Sequence, residues 1–280
     1  MIETEVTAAD GRVLHVYDTG HTTADELVVF WHHGTPNIGS PPQPLFDTSA
    51  RLGIRWISCD RPGYGGSTRQ PGRTIASMAA DAALVADELG VNQLAVMGYS
   101  GGATFALACA ALLPGRVVGA VGFSPLAPFA AEGLDWFAGM GPGGVASLTA
   151  ATLGVAAKES FEATNDAEPD FIPADLTVLS GVWGWLGAVA GPAMAGGPGG
   201  LIDDDIAYVS AWGTDVAQIR VPVLLAHGDA DRIVPSTHSG WLADRCPTAE
   251  LRRFPDDGHL SVLQHAPDAL FWLAAHVSGQ

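Results

Sequence analysis

Lysine is all but missing from this 280-residue chain: Lys158 stands alone, and Lys plus Arg number 13 against 30 Asp plus Glu. A formal net charge of −17 excludes the usual electrostatic grip on nucleic acid and repels anionic membrane surfaces. Cysteine is scarce too. Cys59, Cys109 and Cys246 lie far apart with no C-x-x-C pair, so neither a zinc motif nor a disulfide framework is encoded. Three reduced thiols in a cytoplasmic protein are expected. The opening Met1-Ile2-Glu3-Thr4-Glu5 is acidic and lacks the basic-then-apolar order of a secretory leader. Three runs carry no charge, Leu89–Gly115, Trp136–Ala157 and Leu176–Ile202, and each resembles a membrane span on that count alone. The first holds a glycine turn, and the others are broken by Gly-Pro-Gly-Gly and Gly-Gly-Pro-Gly-Gly. No membrane partner is expected.

What is present is apolar: 48% of the residues are hydrophobic, enough for one sizeable core with room for an insertion. The chain is organised around Gly98-Tyr99-Ser100-Gly101-Gly102. Ahead of it, Gln93–Met97 reads as a short buried strand; behind it, the uncharged, alanine-rich Ala103–Leu113 reads as a buried helix. A strand, a glycine turn and a helix form the setting that a G-x-S-x-G nucleophile elbow requires. Gly98 and Gly102 leave room for strand and helix to approach, and the helix N-terminus offers unpaired N–H groups where an oxyanion would form. Neither G-x-G-x-x-G nor a Walker lysine follows, which disfavours nucleotide binding.

Arg12–Tyr17 reads as an opening edge strand, and Leu27–Trp31, Arg55–Cys59, Val117–Phe123, Val223–His227 and Glu250–Phe254 as further strands. Helices are expected at Leu45–Leu52, at Ile75–Leu89 with Gly90 as its stop, and at Leu260–His276. Such alternation implies a mostly parallel, doubly wound α/β sheet covered on both faces. From Phe129 to Gly213 the pattern breaks into a stretch rich in glycine and tryptophan with no clear strand, read as an insertion over the sheet. The core is then 1–128 and 214–280, and 129–213 is a cap or lid.

A serine hydroxyl needs an adjacent base, itself oriented by a third group. In a doubly wound sheet all three belong in loops at the carboxyl ends of strands. After Val223–His227 comes Gly228-Asp229-Ala230-Asp231, and after the strand ending at Phe254 comes Pro255-Asp256-Asp257-Gly258-His259. The chain order is therefore Ser, Asp, His.

With these pieces in order, the chain resembles a capped α/β-hydrolase of the esterase and lactonase type over nearly its whole length outside the insertion. His33-Gly34-Thr35-Pro36 is similar to the family's H-G-x-P loop, Asp60 to Ser67 to its D-x-x-G-x-G-x-S segment, Gly228 to Asp231 to G-x-x-D, and Gly258-His259 to the G-H pair. The resemblance implies a helical cap inserted after the sixth strand. It also implies Ser100 as nucleophile, His259 as general base, Asp231 as its orienting acid, and the backbone N–H groups of Gly101 and Thr35 as oxyanion donors. A serine at the elbow points away from haloalkane dehalogenases and epoxide hydrolases. No cofactor and no metal is implied, and the partner expected is a small-molecule substrate. The activity implied is hydrolysis of a carboxylic ester or lactone, with C–C bond or amide hydrolysis, perhydrolysis, and a slow-turnover small-ligand receptor as alternatives on the same fold.

Several nearby residues have a plainer reading. Asp229 competes with Asp231, although the family's register favours the latter. His32, His33 and His227 flank strands and are expected only to hydrogen-bond backbone, and Asp60 to hold its own loop. Trp136, Phe137, Trp183, Trp185 and Trp212 either line an apolar pocket or pack the insertion. Between Arg116 and Arg220 only Lys158 is basic, while Glu132, Asp135, Glu159, Glu162, Asp166 and Asp203-Asp204-Asp205 are acidic. Anion recognition uses arginine or lysine, so a neutral, moderately apolar substrate is expected. In the alternative reading, those acids face water and Arg61 supplies the cation.

Overall fold

The computed structural model describes residues 1–21 and 26–277. In chain order its strands are β1 (Ile2–Thr7), β2 (Val13–Asp18), β3 (Leu27–His32), β4 (Ile54–Cys59), β5 (Leu94–Tyr99), β6 (Val117–Phe123), β7 (Val223–Gly228) and β8 (Ala249–Phe254). Between them lie α1 (Phe46–Leu52), α2 (Ser77–Glu88), α3 (Gly101–Leu112), α4 (Pro142–Thr152), α5 (Val155–Glu162), α6 (Pro173–Leu179), α7 (Trp185–Ala193), α8 (Gly199–Tyr208), α9 (Thr237–Arg245) and α10 (Ala266–Val277). One eight-stranded sheet runs β1-β2-β4-β3-β5-β6-β7-β8. The β1–β2 and β2–β4 pairs are antiparallel and the remaining pairs parallel.

Strand periodicity divides the core into two layers. On β3, Val28 and Phe30 join the α2 and α3 side with Val96 and Phe105. Val29 and Trp31 join the opposite side with Trp56, Met97 and Leu270. A sheet covered on both faces needs continuous apolar strands, and β3 to β7 supply them. Gly90, at φ 67, ends the α2 segment in the left-handed region that a residue without Cβ enters freely. Among the described residues, no single helix is long and apolar enough to cross a membrane.

Two expectations need correction, and one helix is unforeseen. Arg12–Tyr17 is not the edge: Ile2–Thr7 lies outside it, fully paired with β2. In β1 only Val6 is buried, so no hydrophobic alternation betrays the strand; backbone pairing along its length, Val6 in the core and a Glu3–His15 contact hold it. Helix α9 follows β7 unannounced. The closing helix begins later than expected: Ser261–His265 is a 3₁₀ turn and α10 starts at Ala266, because Pro267 fits only the first turn of a helix. With β1 counted, Val117–Phe123 is the sixth strand, and α4 to α8 all lie between it and β7.

Candidate active site

The elbow is tighter than the glycine pentapeptide suggests. Gly98 and Tyr99 belong to β5 and Gly101 and Gly102 to α3, leaving Ser100 alone to turn the chain at φ 56 and ψ −133. A non-glycine residue there is strained by about 1–3 kcal/mol, and its surroundings hold it: Ser100 N–H donates to the Phe123 carbonyl at 2.7 Å. The flanking glycines are obligatory. A Cβ on Gly98 would lie 2.4 Å from the Gly102 carbonyl oxygen, and one on Gly102 would lie 2.1 Å from that of His32.

Ser100 Oγ lies 2.9 Å from His259 Nε2, and His259 Nδ1 lies 2.7 Å from Asp231 Oδ2. A carboxylate only accepts, so Nδ1 carries the hydrogen and Nε2 is free to accept the serine proton. Oδ1 of Asp231 accepts from the N–H groups of Ile233 (2.8 Å) and Val234 (2.9 Å). Burial pushes the Asp231 carboxyl up, but attraction to His259 and hydrogen bonds from His227 and His259 outweigh it and hold the group below the usual carboxylate range. Ser100, His259 and Asp231 are 8%, 3% and 4% exposed, respectively. Asp229 instead pairs with Arg253 at 2.7 Å. Just after His259, the N–H groups of Leu260 and Ser261 both donate at 2.8 Å to Asp175, a buried carboxylate on α6.

Gly101 and Thr35 meet at the start of α3, where the first N–H groups of a helix have no partner within it. A Cβ on Gly101 would lie 1.7 Å from the Tyr208 hydroxyl oxygen and 3.2 Å from Thr35 Oγ1. The Thr35 hydroxyl donates to Asp204 at 2.6 Å and accepts from Arg61 Nη2 at 3.0 Å. Tyr208, 2.8 Å from the same oxygen, is therefore the donor of that third bond. Asp204, on α8, also accepts from Arg61 (2.7 Å), Tyr64 (2.8 Å) and Arg73 (2.6 Å). Burial alone would raise its carboxyl, yet Arg61 and Arg73 hold it well below the ordinary range. The Arg61 guanidinium is fully buried and also donates to the carbonyls of His33 and Gly34.

The alternative reading of the insertion's acids is thereby corrected at the Asp run. The three carboxylates neither face water nor line a surface. Asp203 pairs with Arg69 at 2.8 Å, Asp204 with Arg61 and Arg73, and Asp205 with the buried Lys158 at 2.6 Å. Arg61 is not a spare cation. His33 and Asp60 hold backbone as expected: His33 Nε2 accepts from Arg61 N–H at 2.9 Å, and Asp60 accepts from Gly39 (2.6 Å) and Gly66 (2.9 Å). His32 departs from expectation. Among the described residues neither ring nitrogen has a hydrogen-bond partner, and burial next to the Arg61 charge pushes the ring down to about 3. Trp136, Trp183 and Trp212 are buried; Trp136 packs edge-on against Phe129, Phe137 and His238. Asp175, Asp204 and Tyr208 had no motif to announce them. A run of three acids beside a long uncharged stretch was the one available signal.

Residues 28–266 match the family model of the alpha/beta hydrolase fold, and the chain belongs to that family. A non-heme chloroperoxidase of Streptomyces lividans is 31% identical over 239 residues, 82% of this chain and 83% of that protein. The pimeloyl-[acyl-carrier protein] methyl ester esterase of Aromatoleum aromaticum is 38% identical over 68 residues, and the match spans only 27% of that protein. Among solved structures, an esterase from Rhodococcus sp. has a TM-score of 0.74 at 20% identity, covering 99% of this chain and 100% of that one. At that identity the likeness is one of fold.

Proposed function

We propose that the protein is a cofactor-free serine hydrolase that cleaves a neutral, moderately apolar carboxylic ester or lactone through an acyl-enzyme. The observation that carries this reading is the unbroken hydrogen-bonded chain from Ser100 through His259 to Asp231. Ser100 Oγ attacks the carbonyl carbon while His259 Nε2 takes its proton, and Asp231 stabilises the imidazolium. The N–H groups of Gly101 and Thr35 receive the oxyanion, each worth about 3–4 kcal/mol in the transition state. His259 then protonates the leaving alcohol, and water, activated by the same histidine, releases the acid. Residues 129–213 act as a cap whose aromatic side chains favour apolar groups at about 25 cal/mol per Å². The neutral-substrate reading is supported by Arg61, Arg73 and Lys158, which already face carboxylates. The chloroperoxidase relative favours one variation, in which hydrogen peroxide replaces water as acyl acceptor and a peracid leaves.

The test combines a fluorophosphonate probe with matched neutral and carboxylate-bearing esters and lactones. Wild type is expected to label and turn over, while Ser100→Ala loses labelling and on the order of 10⁶-fold of turnover. Labelling of the variant at full strength removes Ser100 from the mechanism. Negligible turnover with ligand-dependent thermal stabilisation favours the receptor reading. A preference of about tenfold or more for the anionic ester, shrinking as salt rises, removes the neutral-substrate reading.

A further inference from the structure

A second histidine stands on the carboxylate that orients His259. His227, in β7, is fully buried. Its Nε2 lies 2.7 Å from the Val234 carbonyl and 3.2 Å from Asp231 Oδ2, and its Nδ1 lies 2.6 Å from Ser239 Oγ on α9. Carbonyl and carboxylate oxygens only accept, so Nε2 carries the hydrogen, and in the neutral ring Nδ1 accepts from the Ser239 hydroxyl. The result is two arms meeting on Asp231: Ser100 to His259 on one side, Ser239 to His227 on the other.

Resting on the reading of Ser100 as nucleophile, we propose that His227, with its tautomer fixed by Ser239, is a positioning residue that aims Asp231 Oδ2 at His259. A carboxylate has about four lone-pair sites. Those on Oδ1 take the Ile233 and Val234 N–H groups; Oδ2 takes His259, and the His227 Nε2–H, donated to the Val234 carbonyl, faces the same oxygen at 3.2 Å. With Oδ1 filled and His227 closing the far side of Oδ2, the carboxylate neither rotates nor admits water as charge develops on His259, which is the preorganisation that transition-state stabilisation requires. Ser239 matters because the other tautomer would set a bare ring nitrogen against the oxygens of Val234 and Asp231.

The test uses three variants in the full chain, with kcat measured per site titrated by the fluorophosphonate so that misfolded protein is not counted. His227→Leu is expected to lower kcat about ten- to one-hundred-fold, the size common for groups that orient a reacting residue, with KM within about twofold of wild type. In His227→Gln the amide reaches the place of Nε2 and restores most of kcat. In His227→Asn it reaches only the place of Nδ1 and does not. The downfield proton resonance of His259 Nδ1–H moves in the Leu and Asn variants and returns towards wild type in the Gln variant. If the Leu and Asn proteins do not fold, Ser239→Ala is read instead, and it shifts the same resonance and lowers kcat less. Wild-type kcat per site in the Leu variant, equal loss in Gln and Asn, or an unmoved resonance overturns the proposal. The resonance needs no substrate, so a wild-type protein silent towards every ester overturns the hydrolase reading without deciding this one.

Discussion

Asp231 takes its hydrogen bonds from near neighbours, His227, Ile233 and Val234, all within four residues of it, and from the His259 it faces. The Thr35 hydroxyl donates to Asp204, 169 residues away, and accepts from Tyr208, 173 residues away, and from Arg61, which bonds that same Asp204. The Asp231 carboxylate is thus fixed mostly by its own loop, although the turn after His259 is itself held by Asp175 of the insertion. The surroundings of the Thr35 side chain are completed only when α8 docks on the sheet. Chain entropy explains the consequence: a loop with local partners orders itself with little closure cost, whereas a distant contact needs the whole intervening chain in place. Damage to α8 should therefore reach Thr35 before it reaches Asp231.

The largest expected effect breaks the local end. Asp231→Asn should lose on the order of 10⁴-fold in kcat, because an amide leaves His259 in the wrong tautomer. Asp229→Asn, which removes only the exposed partner of Arg253, should stay within about tenfold. Reversal of the two effects would move the orienting acid to Asp229. The distant end answers in stability as well as rate. Asp204→Ala strands the buried Arg61 guanidinium, leaves Arg73 with Asp203 as its carboxylate partner, and should cost about 3–5 kcal/mol in urea unfolding. The folded pKa of Asp204 lies below its unfolded value, so its contribution is present above the ordinary carboxylate range and lost as pH falls through the folded value. Asp204→Asn should accordingly lose less stability than wild type on acidification, and equal slopes would count against an ionised Asp204. The smallest effect sharpens the comparison. Tyr208→Phe deletes one donor to Thr35 Oγ1 and should cost about 1 kcal/mol, visible as a several-fold fall in kcat with Asp231 untouched. A loss as large as that of Asp231→Asn would make Tyr208 a reacting group and dissolve the contrast.

Legibility in the sequence followed the same divide. Ser100, Asp231 and His259 stand in motifs whose spacing is set by tight turns, and the structure brings all three together. The parallel strands were readable because burial on both faces leaves unbroken apolar runs, whereas β1, exposed along most of its length, left no such trace. His227 was read as a backbone partner, which is true of its Val234 bond. Its place on Asp231 depends on how the loop after β7 closes, and no single-residue pattern encodes that. Asp203, Asp204 and Asp205 look like a solvated acidic run in one dimension. Only the fold shows that successive side chains of α8 reach Arg69, Arg61 with Arg73, and Lys158. Gly101 is legible as an elbow glycine, yet what forbids a Cβ there is Tyr208, a residue of the insertion.

The scarcity of basic residues has a consequence for proteolysis. Trypsin cleaves after Lys and Arg, and between Arg116 and Arg220 the sequence offers it one bond, after Lys158. That side chain is fully buried on α5, clasped by Ser147, Glu162 and Asp205. While the insertion keeps its fold, the bond is withheld from the protease. Once α5 parts from α4 and α8, a single nick divides the stretch in two.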